Sequence, residues 1–240
     1  MITVKTVTLR IWRSGNVFTD HTVSAPEGSY IIDAIERVYA EPASGLVWRH
    51  ACHHASCGSC GLRINGVEKL PCVTLLSDYP PGQPITLQPL AHFPRIADLV
   101  VDFAPFFARM RAVGMPIIRS DEIAPTTEAQ QGPTQAGTMV ADIPLLDNAH
   151  DLRFENCIEC GLCVSACPAM ANPSFMGPAA LAAAERLMQE PRGADLPTIL
   201  RRVDAGSGVW ACRSSYQCSA VCPTDVDPAG AIIRLRKQLL

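Results

Sequence analysis

The sequence predicts an α+β chain in two parts, a small mixed sheet packed on one helix and then a mainly helical segment. Three observations carry this. Up to about residue 90 the apolar residues alternate with period two, change to a helical period, and change back. Beyond Gly177 the apolar periods are helical. The eleven cysteines fall into short-spaced groups, one in the first part and two in the second.

Thr6, Thr8 and Arg10 alternate with Val7, Leu9 and Ile11, the period of a half-buried strand. Arg13-Ser14-Gly15-Asn16 is a turn cluster, and Val17–Ser24 returns as the second arm of a hairpin. Ile31, Ala34, Ile35, Val38 and Tyr39 then mark one face of a helix, with Ser29 placed to cap it and Pro42 to stop its continuation. Leu62–Glu68 reads as two short strands around Asn65-Gly66, a strong local hairpin signal, and a last strand is predicted at Ile85–Leu90. Ile96–Ile118 is apolar enough for a connecting helix, interrupted by Pro105, Gly114 and Pro116. Glu122–Gly137 is polar and aperiodic, a surface loop. An alanine-rich helix opens at Gly177-Pro178 and ends at Pro191–Asp195. Asp227-Pro228 caps a final helix, Ala229–Leu240, with Ile232, Leu235 and Leu239 on one face.

Composition removes several functions. A net charge of −3 with no basic face or tail argues against nucleic acid as a partner. The most apolar run, Ile96–Phe107, is broken by Asp98, Asp102 and Pro105, well short of the roughly 20 apolar residues a membrane span needs. The N-terminus lacks an export leader, and an odd, bunched cysteine count reads as metal thiolates in a reducing, intracellular compartment.

Cys52, Cys57, Cys60 and the more distant Cys72 have the spacing of a plant-type [2Fe–2S] site. Gly58 and Gly61 let that loop come close to a cluster. A structural zinc site is the alternative, although zinc favours two compact cysteine pairs. His50, His53 and His54 invite a Rieske reading, but all four cysteines are present, which leaves the histidines as loop or supporting residues.

Cys157, Cys160, Cys163 and Cys167, followed by Pro168, form the run in which a fourth cysteine serves a different cluster from the first three. The partner set is Cys212, Cys218 and Cys222, followed by Pro223. Crossing gives Cys157, Cys160, Cys163 and Cys222 to a [4Fe–4S] cluster. It leaves Cys167, Cys212 and Cys218 for a [3Fe–4S] cluster, because Ser215 stands where a further cysteine would be. Ser215 is read as a bystander or, alternatively, as a serine ligand to a fourth iron. Four, four and three ligands use all eleven cysteines.

Such a row of one-electron centres, without a phosphate loop, nucleophile elbow or helix-borne zinc motif beside it, describes a conduit. The stretches R-H-A-C-H-H-A-S-C-G-S-C-G and P-L-A-H-F-P-R-I-A-D-L-V-V-D, both later cysteine runs and the closing helix resemble the iron–sulfur subunits of succinate dehydrogenases and fumarate reductases. The resemblance implies an N-terminal β-grasp plant-type ferredoxin domain over residues 1–105 and an all-α ferredoxin-like domain over 106–240. It implies the same cluster partition. It also implies a flavoprotein subunit carrying FAD beside the [2Fe–2S] site, and membrane anchor subunits, with haem b, beside the [3Fe–4S] site. Electrons would pass between flavin and a membrane quinone lined by Pro168, on the cytoplasmic face of the plasma membrane, within a respiratory chain and the tricarboxylic acid cycle.

The sequence departs from the family at the quinone. Ubiquinone-using members place a Trp shortly after the crossing cysteine and a His after the first cysteine of the second run, where this chain has Met170-Ala171-Asn172 and Arg213. Cys222–Pro228 also lacks the lysine of the family's C-P-K-G-L-N-P. These differences point to menaquinone or to a site elsewhere in the anchor. Arg213, Arg234, Arg236 and Lys237 admit two readings, facing anionic lipid or lying on a solvated helix face. A free-standing carrier ferredoxin, and a subunit delivering electrons to thiols or heterodisulfides, are the competing functions.

Overall fold

The computed structural model describes residues 4–115, 153–189 and 196–240. The expected surface loop at Glu122–Gly137 and the helix end at Pro191–Asp195 lie outside the described residues.

Strands β1 (Val4–Arg13) and β2 (Val17–Pro26) form the expected antiparallel hairpin. Helix α1 (Ile31–Tyr39) follows, then β3 (Leu62–Ile64), β4 (Val67–Lys69) and β5 (Ile85–Gln88). The five strands make one sheet in the order β2-β1-β5-β3-β4, mixed because β1 and β5 run parallel while the other pairs are antiparallel. Asn65 and Gly66 both adopt positive φ, 50° and 83°, the condition for the tight turn that matches strand twist between β3 and β4. Ile31, Ile32, Ala34, Ile35 and Val38 of α1 are buried in one core with Leu9, Ile11, Ile85 and Leu87 of the sheet. Each large apolar side chain so buried contributes about 2 kcal/mol. The cap of α1 differs from expectation. The helix starts one residue later than Ser29 would require: the Asp33 carboxylate accepts from the Tyr30 N–H at 2.8 Å, while the Ser29 carbonyl is engaged by the Leu76 N–H.

Residues 96–113 are not one helix. Arg95–Ala97 and Val100–Val101 pair as a small hairpin, β6 and β7, and helix α2 covers only Ala104–Val113. Pro105 opens α2 rather than interrupting it, since its missing N–H lies in the first turn, and Gly114 ends it at φ 107°. Asp98 sits in the β6–β7 turn and accepts from the N–H groups of Ser14 (2.8 Å) and Val47 (2.9 Å), with Arg13 Nε at 3.2 Å. Burial works against its charge, but these donors and Arg13 outweigh it and hold the carboxyl below its ordinary pKa.

The second part is helical: α3 (Leu162–Ala166), α4 (Pro178–Met188), α5 (Leu196–Val203), α6 (Gln217–Ala220) and α7 (Pro228–Leu239). Gly177-Pro178 opens α4, and the Asp227 side chain accepts from the Gly230 N–H to cap α7, both as the sequence predicts. Helix α4 is central, with Pro178 through Glu185 buried, and packs on α7, α2 and α5. Its small alanines allow close helix approach. Two polar chains tie the parts together: Ser165 Oγ of α3 donates to Glu68 Oε1 of β4 at 2.8 Å and accepts from the Ala91 N–H at 2.8 Å.

Candidate metal centres

The loop between α1 and β3 carries Cys52, Cys57 and Cys60, and the short 3-10 turn Pro71–Val73 carries Cys72. The Sγ atoms of Cys60 and Cys72 lie 3.6 Å apart, both residues buried, while Cys57 is exposed. Backbone amides converge on the sulfurs: Ser56 (3.2 Å), Cys57 (3.3 Å) and His54 (3.5 Å) on Cys52, and Ala55 (3.3 Å) on Cys72. The loop turns its amides inward through left-handed residues, His53 at φ 63°, Ala55 at 59° and Gly58 at 67°. The His54 N–H leads in lowering the Cys52 thiol, which is pushed down to about 7. Burial, with Cys72 alongside, pushes Cys60 up to about 12.

The later cysteines sort into two cavities. Cys157, Cys160, Cys163 and Cys222 line one, with Phe106 and Phe154. Cys167, Cys212 and Cys218 line the other, with Arg213, Ser215 and Phe175. Helix α3 carries Cys163 and ends on Cys167, and α6 carries Cys218, so each run turns into a short helix inside its own loop. Burial is the first cause of the raised thiols at Cys157, Cys160 (about 11), Cys163 (well above the ordinary value), Cys167 and Cys218 (about 12). Neighbouring sulfur adds to it in the same grouping: Cys222 acts on Cys157, Cys160 and Cys163, while Cys167 and Cys212 act on Cys218. Helices α3 and α6, which carry Cys163 and Cys218, pack together, so the two cavities adjoin. Amide donors reach these sulfurs too, Val226 to Cys222 at 3.3 Å and Ser214 to Cys212 at 3.4 Å.

The raised thiols of Cys60, Cys157, Cys160, Cys163, Cys167 and Cys218 stay neutral on their own, and a bound cation deprotonates a coordinating thiol outright. The donor set therefore fits thiolate-bound iron, with the amides positioned to hydrogen-bond the sulfurs. Ser215 is exposed at the edge of the three-cysteine cavity.

Three features of these sites had no clear signal in the sequence. The first is a close approach between the two parts. A Cβ on Gly58 would lie 2.7 Å from Cys160 Cβ and 2.9 Å from the Ile158 carbonyl oxygen, so the first cysteine loop rests directly on the second. The second is Arg236, which donates to the carbonyls of Val209 (2.7 Å) and Cys212 (2.7 Å) and to Ser214 Oγ (3.1 Å). The third is Arg234, paired with the largely buried Glu185 at 2.7 Å. Both arginines of α7 are half-buried and engaged with protein groups. Arg236 and Arg234 are internal ties of α7, while Arg213 and Lys237 are exposed. Pro168 is exposed beside buried Met170, whose Sδ packs at Gly177.

Two domain families match, the 2Fe-2S iron-sulfur cluster binding domain over residues 8–108 and the 4Fe-4S dicluster domain over 153–226. The chain is 39% identical over 210 residues to the fumarate reductase iron-sulfur subunit of Mycobacterium tuberculosis, covering 86% of this chain and 79% of that one. The chain belongs to the succinate dehydrogenase and fumarate reductase iron–sulfur subunit family. Another relative is the succinate dehydrogenase iron-sulfur subunit of Coxiella burnetii, 34% identical over 91% of this chain and 87% of that one. In three dimensions the chain matches a solved structure described as the Mycobacterium smegmatis Sdh1 complex in the apo form. The match has a TM-score of 0.80 at 25% identity and covers 99% of this chain and 96% of that one. Among the described residues no helix is long and apolar enough to cross a membrane.

Proposed function

We propose that this chain is the electron-transfer subunit of a succinate:quinone or quinol:fumarate oxidoreductase, joining a flavoprotein that carries FAD to a membrane anchor. The observation that carries the reading is the division of all eleven cysteines into three adjoining groups, in contact from Gly58 to Cys160 and from helix α3 to helix α6. In this reading Cys52, Cys57, Cys60 and Cys72 hold [2Fe–2S]; Cys157, Cys160, Cys163 and Cys222 hold [4Fe–4S]; Cys167, Cys212 and Cys218 hold [3Fe–4S]. The N-terminal unit is a β-grasp ferredoxin over residues 1–105 and the C-terminal unit an all-α ferredoxin-like domain over 106–240, the division falling in the first turn of α2.

Such clusters, when bound, supply one-electron transfer along a chain of short hops. The protein's part is to bind and to space. Exposed Cys57 marks the face toward the flavoprotein, where the first site comes nearest solvent. Exposed Pro168, Arg213 and Ser215 mark the face toward the anchor and quinone, on the cytoplasmic side. With Met170 buried and Arg213 in the place of a histidine, the acceptor is menaquinone or is bound within the anchor, which carries haem b. The catalytic dicarboxylate site belongs to the flavoprotein.

The test is purification from membranes with the subunits intact. Co-purification with a flavoprotein and an anchor, and reduction of the iron–sulfur EPR signals by succinate or a quinol, are expected. A freely soluble monomer whose signals neither reductant changes contradicts the reading. Ubiquinone seated against Pro168 contradicts the menaquinone assignment.

A further inference from the structure

The three histidines of the first cysteine loop separate in the structure. His54 Nδ1 pairs with the Cys52 carbonyl and stays within the loop. His50 and His53 leave it and turn to Glu36, near the end of α1. We propose that Glu36, His50 and His53 form a binding site for a zinc(II)-type cation, which staples α1 to the loop.

The three ligand atoms form a closed triangle. His50 Nδ1 and His53 Nε2 are 2.9 Å apart, and Glu36 Oε1 lies 3.1 Å from His53 Nε2 and 3.5 Å from His50 Nδ1. A tetrahedral zinc with bonds of about 2.0–2.1 Å separates its ligand atoms by about 3.3 Å. The observed edges bracket that value, so one ion above the triangle reaches all three atoms. Hydrogen bonding alone serves the arrangement poorly. Two neutral imidazoles bring at most two protons to three edges, and if both donate to Glu36 the two N–H groups face each other at 2.9 Å. A shared cation satisfies every lone pair at once.

The site is also held in place. His50 stacks on Trp48 at 4.4 Å with an interplanar angle of 15° and meets Tyr39 edge-on. His53 is aimed by a left-handed backbone, and Glu36 by a helix. The side chains are 30–40% exposed, which leaves the fourth position open to water. Two imidazoles with one carboxylate suit zinc, whereas magnesium and calcium take oxygen donors. Among the described residues this is the one cluster of histidine and carboxylate groups with such convergence.

The experiment uses the purified protein with its iron complement intact, equilibrated with zinc chloride or magnesium chloride at a pH above the ordinary imidazole range, then passed through gel filtration and analysed for metals. About one zinc per chain, no magnesium and unchanged iron are expected. Glu36→Gln, a near-isosteric change on α1, lowers zinc affinity by at least about 100-fold, more than loss of a supporting partner costs, with iron content and visible spectrum unchanged. His50→Gln gives the same loss. Zinc retained by both variants, zinc uptake accompanied by iron loss, or no zinc retained by the native protein overturns the proposal.

Discussion

The first cysteine site and the two later ones are built by opposite means. In the first, one continuous loop supplies three sulfurs, several backbone amides point at Cys52 and Cys72, and the His54 amide leads in bringing the Cys52 thiol down to about 7. In the later pair the sulfurs come from two runs about 55 residues apart, the surroundings are apolar, and burial drives Cys160 and Cys218 up to about 11 and about 12. The first site is a local structure stabilised by hydrogen bonds. The later ones exist only once α3, α6 and α7 have assembled, so metal binding and tertiary folding are coupled there.

The largest break in this contrast is expected at Gly58, where the two kinds of site meet. Gly58→Ala places a Cβ against Cys160 and the Ile158 carbonyl at a left-handed φ of 67°. Strain and overpacking together cost about 3 kcal/mol, and thermal unfolding and iron content of both parts report it. Next is Arg236→Leu, which leaves the Val209 and Cys212 carbonyls without their charged donor. A loss of about 2 kcal/mol is expected, with the EPR signal of the three-cysteine site disturbed before that of the first loop.

Asp98→Asn tests the first part alone, and a cost of about 1–2 kcal/mol is expected in denaturant melts. Because the folded pKa of Asp98 lies below its unfolded value, its contribution is present above the unfolded pKa and is lost as pH falls through the folded one. The variant therefore shows a shallower acid loss of stability than the native protein. The smallest energetic effect belongs to Ser215→Cys, a change at an exposed position worth within about 0.5 kcal/mol. It sharpens the comparison chemically, since a fourth sulfur raises the iron count from about nine to about ten and removes the oxidised [3Fe–4S] signal.

What the sequence made legible follows the same division. Period-two and period-3.6 patterns gave β1, β2 and α1, and Asn65-Gly66 gave the β3–β4 turn. Local signals with more than one use misled. Pro105 in an apolar run reads as a break but serves as a helix start, and Ser29 is a good cap residue one position from the chosen boundary. Long-range contacts left no mark on local pattern: the approach of Gly58 to Cys160, the Ser165–Glu68 bond and the turn of His50 and His53 toward Glu36 depend on how distant segments pack.

The crossing of ligands between the two later runs is the central claim, and Cys222→Ser tests it most directly. Iron counting with EPR on the purified complex is expected to show damage to the [4Fe–4S] centre of Cys157, Cys160 and Cys163, with the oxidised [3Fe–4S] signal retained. Loss of the [3Fe–4S] signal with an intact [4Fe–4S] centre would mean that each run holds its own cluster, and would contradict the account.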